Sequence, residues 1–114
     1  MVLIEAIVKP FKLDDVKEAL EELGIGGMTV IEVMQSASQR PRPGSFRAAA
    51  ASTGLVPKIK IQVAARKEVA ERIVEAICLH GSSGKTEDGS IVVKRIQTTV
   101  RIRTGETDDS ALSP

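Results

Sequence analysis

Two strand–helix–strand halves laid on one sheet, an α+β domain, is the fold class the sequence predicts, and three observations carry it. Short apolar stretches with a period of two recur along the chain, and two longer stretches have helical spacing. The order of these stretches is the same in each half. The halves can be written side by side, "VLIEAIVKPFKLDDVKEAL" against "PKIKIQVAARKEVAERIVEAI".

Each element follows from its residues. "VLIEAIV" (2–8) is branched and apolar, the habit of a strand, and Pro10 interrupts it. "KLDDVKEALEELG" places Leu13, Val16, Leu20 and Leu23 on one helical face, with Asp14, Lys17, Glu18 and Glu21 turned away. The early acids suit the helix dipole, and Gly24 is placed to end the helix. "MTVIEVM" (28–34) reads as a second strand. Residues 35–57 hold Pro41, Pro43, Gly44, Gly54 and Pro57 and keep no period. A loop that long in a compact domain is usually functional or disordered. "KIKIQVA" (58–64) alternates, with Ile59, Ile61 and Val63 on one side. "RKEVAERIVEAIC" is the second helix, on Val69, Ile73 and Ile77, with Gly81 as its expected stop. "IVVKRIQ" (91–97) is a fourth strand, "TVRIR" (99–103) a short strand or extended turn, and "GETDDSALSP" a polar tail expected to fray. Two such units with both helices on one face give a ferredoxin-like βαββαβ arrangement, although other α+β topologies fit the same pattern.

Composition narrows the function. At 114 residues a single domain, 1–114, is expected, and a core this small is often supplemented by oligomerisation. A formal charge of +1 sets up no strong field toward nucleic acid or membrane. There is no Trp or Tyr and only two Phe, which argues against stacking on single-stranded nucleic acid. One cysteine makes no internal disulfide, and no signal peptide or bilayer-length apolar run is present, so a cytoplasmic protein is expected.

The segment "SSGKTEDGS" (82–90) is the chief candidate for chemistry. Gly84 and Gly89 allow backbone shapes that turn consecutive N–H groups toward an anion, and Lys85 adds charge. It is not a P-loop, because it runs into a strand. "VRIRTG" sets Arg101 and Arg103 two apart, on the same side if the chain is extended, and paired guanidinium groups suit phosphate. Taken alone, the glycine segment reads better as a flexible loop, while a solvated polar face with ion pairs to Glu106 or Asp108 accounts for the arginines as well as phosphate does. Cys78 and His80 are too few for a closed metal site, so Cys78 is read as packed and His80 as a helix-end residue; Asp14 and Asp15 read as solvated first-turn acids. No nucleophile–base arrangement marks a catalytic site.

"IEAIVKPFKLDDVKEALEELGIGGMTVIEV", "PKIKI", "SGKTEDGSIVV" and "VRIRTGE" together resemble the PII signal-transduction family from residue 2 to about residue 112. The resemblance implies a homotrimer of ferredoxin-like subunits with adenine nucleotides in the clefts between neighbours. It divides the chain into a T-loop (35–57), a B-loop (82–90), a C-loop (101–106) and a flexible tail (107–114). It implies that Ile7, Thr29, Gln62, Val63 and Ala64 surround the adenine. Thr86, Glu87, Asp88, Gly89 and Ser90 would embrace the phosphates, and Arg101 and Arg103 would reach them from the adjacent subunit. Gln39 and Lys58 match positions that help bind Mg-ATP and 2-oxoglutarate.

The chain also departs from the family. "EDGS" stands where relatives have "GDGK", so Glu87 adds an anion and Ser90 removes a cation. Both changes penalise ATP more than ADP or AMP, since Coulomb energy grows with phosphate charge. Position 51 is Ala51 and position 49 is Ala49, so the family's modified tyrosine and serine are absent. Gln35, Ala37 and Ser38 replace two glycines and an arginine at the T-loop base, while Arg40, Arg42 and Arg47 are candidate anion ligands or partner contacts. The expectation is a non-catalytic sensor that favours ADP or AMP. Its T-loop would order to control a partner protein, with bicarbonate as second ligand, as in carboxysome-associated variants. The alternatives are a conventional nitrogen-regulatory protein sensing ATP, ADP and 2-oxoglutarate, a weak ATP phosphohydrolase, or a purely structural trimer.

Overall fold

The structure, a computed structural model, describes residues 1–36, 54–85 and 88–112. Strand β1 (Val2–Val8) leads through a 3₁₀ turn (Pro10–Lys12) into helix α1 (Leu13–Glu22). Then come β2 (Thr29–Ser36), β3 (Leu55–Ala65), α2 (Lys67–Gly81), β4 (Ile91–Arg95) and a short α3 (Asp109–Leu112). The strands form one sheet in the order β2-β3-β1-β4, and each neighbouring pair is antiparallel. This is the ferredoxin-like arrangement expected from the two halves.

The period-two pattern sets which face is covered. Ile4, Ala6 and Val8 of β1 and Ile59, Ile61 and Val63 of β3 turn to one side, where Val16 and Leu20 of α1 and Ile73 and Ile77 of α2 close over them. Burying each of the valine, leucine and isoleucine side chains contributes roughly 1.5–3 kcal/mol. Pro10 does more than interrupt β1. It opens the 3₁₀ turn at a position where a missing N–H costs nothing.

Helix α1 ends as its glycine predicts. Gly24 has φ +83°, its N–H donates to the Glu21 carbonyl, and the Ile25 N–H donates to the Leu20 carbonyl. That pair of bonds is a Schellman closure, and Leu23, already outside the helix, is 40% exposed instead of sharing the buried face. A Cβ on Gly24 would meet nothing within 4 Å, so Gly24→Ala costs only backbone strain, about 1–2 kcal/mol. A lowered urea midpoint with an unchanged slope is the expected result.

Gly81 ends the helix as the sequence suggested, but not through a left-handed turn. It is the last residue of α2, buried, and the next residue, Ser82, is extended with φ −80°. A Cβ on Gly81 would lie 3.2 Å from Val8 Cγ1 and 3.5 Å from Val16 Cγ2, so the glycine lets the helix end approach β1 and α1. Cys78, expected to be packed, is exposed. The strands bordering the long loop reach into it, to Ser36 and from Leu55, while β4 stops at Arg95. Pro57 sits inside β3, which is tolerated because β3 pairs with β1 only from Ile59 onward, leaving one edge unpaired there.

Among the described residues neither long helix packs on the other face of the sheet. Across it, Val92, Glu5, Gln62 and Thr29 form one row over four strands by register. Glu5 is 8% exposed and lies 2.7 Å from the Lys94 ammonium and 3.2 Å from that of Lys60. The hydrogen bond from Lys94, then that from Lys60, hold its carboxyl below the ordinary value despite burial. Ile31 and Val92 remain exposed on this face.

Candidate functional site

The loop after α2 is shaped by its own aspartate. The Asp88 carboxylate accepts the backbone N–H of Ser83 at 2.9 Å and of Gly84 at 3.0 Å, and the Ser83 hydroxyl at 2.6 Å. Lys9, just beyond β1, donates to Ser83 Oγ at 2.8 Å and lies 3.4 Å from Asp88 Oδ1. Gly84 has φ +76°, and consecutive N–H groups do converge there, as the sequence implied. The anion they hold is Asp88, however, which leaves the arm beyond it, residues 89–90, as the part of the loop these bonds do not occupy. That arm lies on β1: the Ile7 N–H donates to the Ser90 carbonyl at 2.9 Å. A Cβ on Gly89 would fall inside the Ile7 carbonyl. Under the loop an apolar cleft of about 350 Å³ runs along Val74, Ile77 and Cys78.

The bonds from Ser83, through its hydroxyl and then its N–H, hold the Asp88 carboxyl well below the usual carboxylate range, with Lys9 adding to them. A carboxyl depressed in the native state stabilises fully above its unfolded value near 3.8 and loses that contribution only as pH falls through the lowered native one. The Ser83 and Gly84 amides are therefore expected to keep their hydrogen-exchange protection, after correction for intrinsic rates, on acidification from pH 7 to about pH 4. Loss of protection above that pH would contradict the assignment.

The residues expected around an adenine fall into two sets. Ile7, Thr29, Gln62 and Ala64 share the uncovered sheet face, and Thr29 and Gln62 are direct cross-strand partners. Val63 points the other way and is 1% exposed, in the core, so it offers a ligand only its backbone. Pairing with β2 ends at Gln62, and Val63 and Ala64 have a backbone edge with no strand partner on that side among the described residues. Thr86, Glu87, Gln39, Arg40, Arg42 and Arg47 lie outside the described residues.

The two arginines are not laid out on an extended strand. Residues 102–104 turn, with the Arg101 N–H donating to the Glu106 carbonyl at 2.8 Å and the Gly105 N–H to the Arg101 carbonyl at 2.7 Å. Gly105, with φ +74°, permits the reversal, so same-side projection by alternation does not apply. Arg101 Nη2 donates to the Ala111 carbonyl at 3.2 Å, and Arg103 is exposed. The segment read as a tail returns along 99–100: the Asp108 N–H bonds the Thr99 carbonyl, and Val100 bridges Thr107.

The placement of this turn matters most. Ile96 donates to the Met1 carbonyl, and the Thr99 hydroxyl lies 3.7 Å from Met1 Sδ, so the arginine turn sits at the start of β1. The glycine loop sits at its end, on Ile7. Six residues of strand separate the two, about 20 Å. The two features thus sit at opposite ends of the same strand.

Lys58 is buried on β3 and lines a second cleft of about 270 Å³ with Lys9, Lys85, Ser83 and Phe11. Sequence reasoning singled out Lys58 but missed Lys9 and Ser83. Asp88, the partner of both, is 79 positions from Lys9, so no local spacing connects that pair, whereas Ser83 lies only five residues from Asp88.

A ferredoxin-like α+β domain with an uncovered sheet face, a carboxylate-closed glycine loop and a lysine-lined cleft is the class so defined. The profile of the family described as Nitrogen regulatory protein P-II matches residues 1–106, and the chain belongs to that family. It is 45% identical over 112 residues to the nitrogen regulatory protein P-II of Rhizobium etli, covering 98% of this chain and 100% of that one. It is 43% identical over 109 residues to nitrogen regulatory protein P-II of Klebsiella oxytoca and to nitrogen regulatory protein P-II 1 of Escherichia coli K12, covering 96% of this chain and 97% of each relative.

Proposed function

We propose that the chain is a non-catalytic, cytoplasmic regulator of nitrogen metabolism that assembles as a homotrimer and binds adenine nucleotides between subunits. The separation of the glycine loop from Arg101 and Arg103 along β1 carries this reading. On this reading each feature supplies half of a phosphate site, and a second copy brings the halves together. The uncovered sheet face, with Ile31 and Val92 exposed, supplies apolar surface for such an assembly. Among the described residues no helix is long and apolar enough to cross a membrane.

ADP and AMP are favoured over ATP, because Glu87 and Ser90 change the local charge against the outermost phosphate. The names of the relatives favour nitrogen status over bicarbonate or a carboxysome as the input. The cleft lined by Lys9, Lys58 and Lys85 supports an anion such as the dicarboxylate 2-oxoglutarate as second ligand, since its charged lining residues are all cationic. Ligand binding then biases the T-loop, 35–57, toward or away from a partner protein.

A thermal-shift screen of AMP, ADP and ATP crossed with 2-oxoglutarate and bicarbonate tests the reading. ADP is expected to raise the melting temperature most, with a further rise from 2-oxoglutarate. A rise with bicarbonate alone would move the chain to carbon assimilation, and no rise with any adenylate would end the nucleotide reading.

A further inference from the structure

We propose that Lys9 and Asp88 are positioning residues for the nucleotide's phosphates: a clasp that closes the glycine loop and, through the Lys9 charge, cancels the carboxylate that closes it. The inference rests on the adenylate reading of that loop.

The geometry requires both partners. Residues 82–84 leave α2, residues 88–90 enter β4, and one carboxylate joins the two arms through the N–H groups of Ser83 and Gly84. Lys9 bonds both arms at once, through Ser83 Oγ and Asp88 Oδ1. Its side chain is only 11% exposed and that of Asp88 23%, so solvent screens the pair weakly. The closure sets where the following residues lie, because Gly89 packs directly on the Ile7 carbonyl and Ser90 accepts the Ile7 N–H.

The carboxylate has a cost for an anion site. It stands one residue before Gly89, where phosphate is expected, and would repel it. Lys9 removes that repulsion without occupying the phosphate position. A scaffold residue would affect all ligands alike, whereas a charge-cancelling residue affects them in proportion to their charge.

Calorimetric titration of Lys9→Met and Lys9→Arg with AMP, ADP and ATP tests this. Lys9→Met is expected to weaken ADP about tenfold, AMP less and ATP more, with Lys9→Arg restoring most of the affinity. Ser83→Ala, which removes one hydroxyl, serves as second variant should Lys9→Met fold poorly. It is expected to weaken all three nucleotides equally and modestly, because the charge pair remains. Hydrogen exchange reports the clasp without any ligand: the Ser83 and Gly84 amides are protected in the wild type and exposed in Asp88→Asn. Wild-type binding that Lys9→Met leaves unchanged, or weakens equally for all three nucleotides, overturns the proposal. Unprotected amides in the wild type overturn the clasp itself. A wild type that binds no adenylate but keeps both amides protected overturns the phosphate role while leaving the clasp's geometry standing, and so marks the failure as one of the adenylate reading.

Discussion

Gly89→Val is expected to remove adenylate binding while leaving the fold intact. Gly89 is exposed, yet its α-carbon rests against the end of β1, where the Ile7 carbonyl occupies the place of a side chain. Its φ is not among the positive ones, so the demand is for space alone. A branched side chain must push residues 88–90 off β1 and break the bond from the Ile7 N–H to the Ser90 carbonyl. The arm that is to meet phosphate then leaves its position. A displacement of this size should weaken ADP about a hundredfold, ~2.7 kcal/mol at 1.36 kcal/mol per decade. Titration calorimetry reads the loss, and circular dichroism should show the helices unchanged, because no core residue moves. Affinity within about threefold of the wild type would mean that the loop does not hold the ligand.

The second large effect concerns the core. Leu20→Ala and Ile61→Ala are each expected to destabilise the folded chain by about 2–5 kcal/mol. Both side chains are fully buried, one from α1 and one from the middle of β3, so each deletion leaves a void between sheet and helices. Ile102→Ala is the control, since Ile102 is fully exposed in the arginine turn and should change stability by less than about 0.5 kcal/mol. Urea unfolding measures all three. A core variant indistinguishable from Ile102→Ala would contradict the packing described.

What the sequence revealed and what it hid follow from the range of the interactions involved. The strands and helices were legible because their signal is a local period: Ile4, Ala6 and Val8 on one side of β1, Val16 and Leu20 on one stripe of α1. Gly24 was legible because a Schellman closure involves only neighbours in sequence. Gly81 was legible as the end of α2, but the reason for its size was not, because Val8 lies 73 positions away. The arginine pair was misread because alternation assumes an extended chain, and Gly105 with Glu106 turns it back. At the glycine loop the anion-binding amides were foreseen, but their occupant was not. A serine pair, a glycine and an aspartate within seven residues could have flagged a loop closed on itself. Lys9, which completes it, could not be seen without the sheet that brings the end of β1 beside the end of α2.

Equilibrium binding of ADP to the protein, read together with its mass by light scattering, tests the central claim most directly. The account predicts a trimer that takes up one ADP per subunit, more tightly than ATP, and loses that binding when both Arg101 and Arg103 are replaced by alanine. A monomer that still binds ADP, or a trimer indifferent to that double replacement, would contradict it.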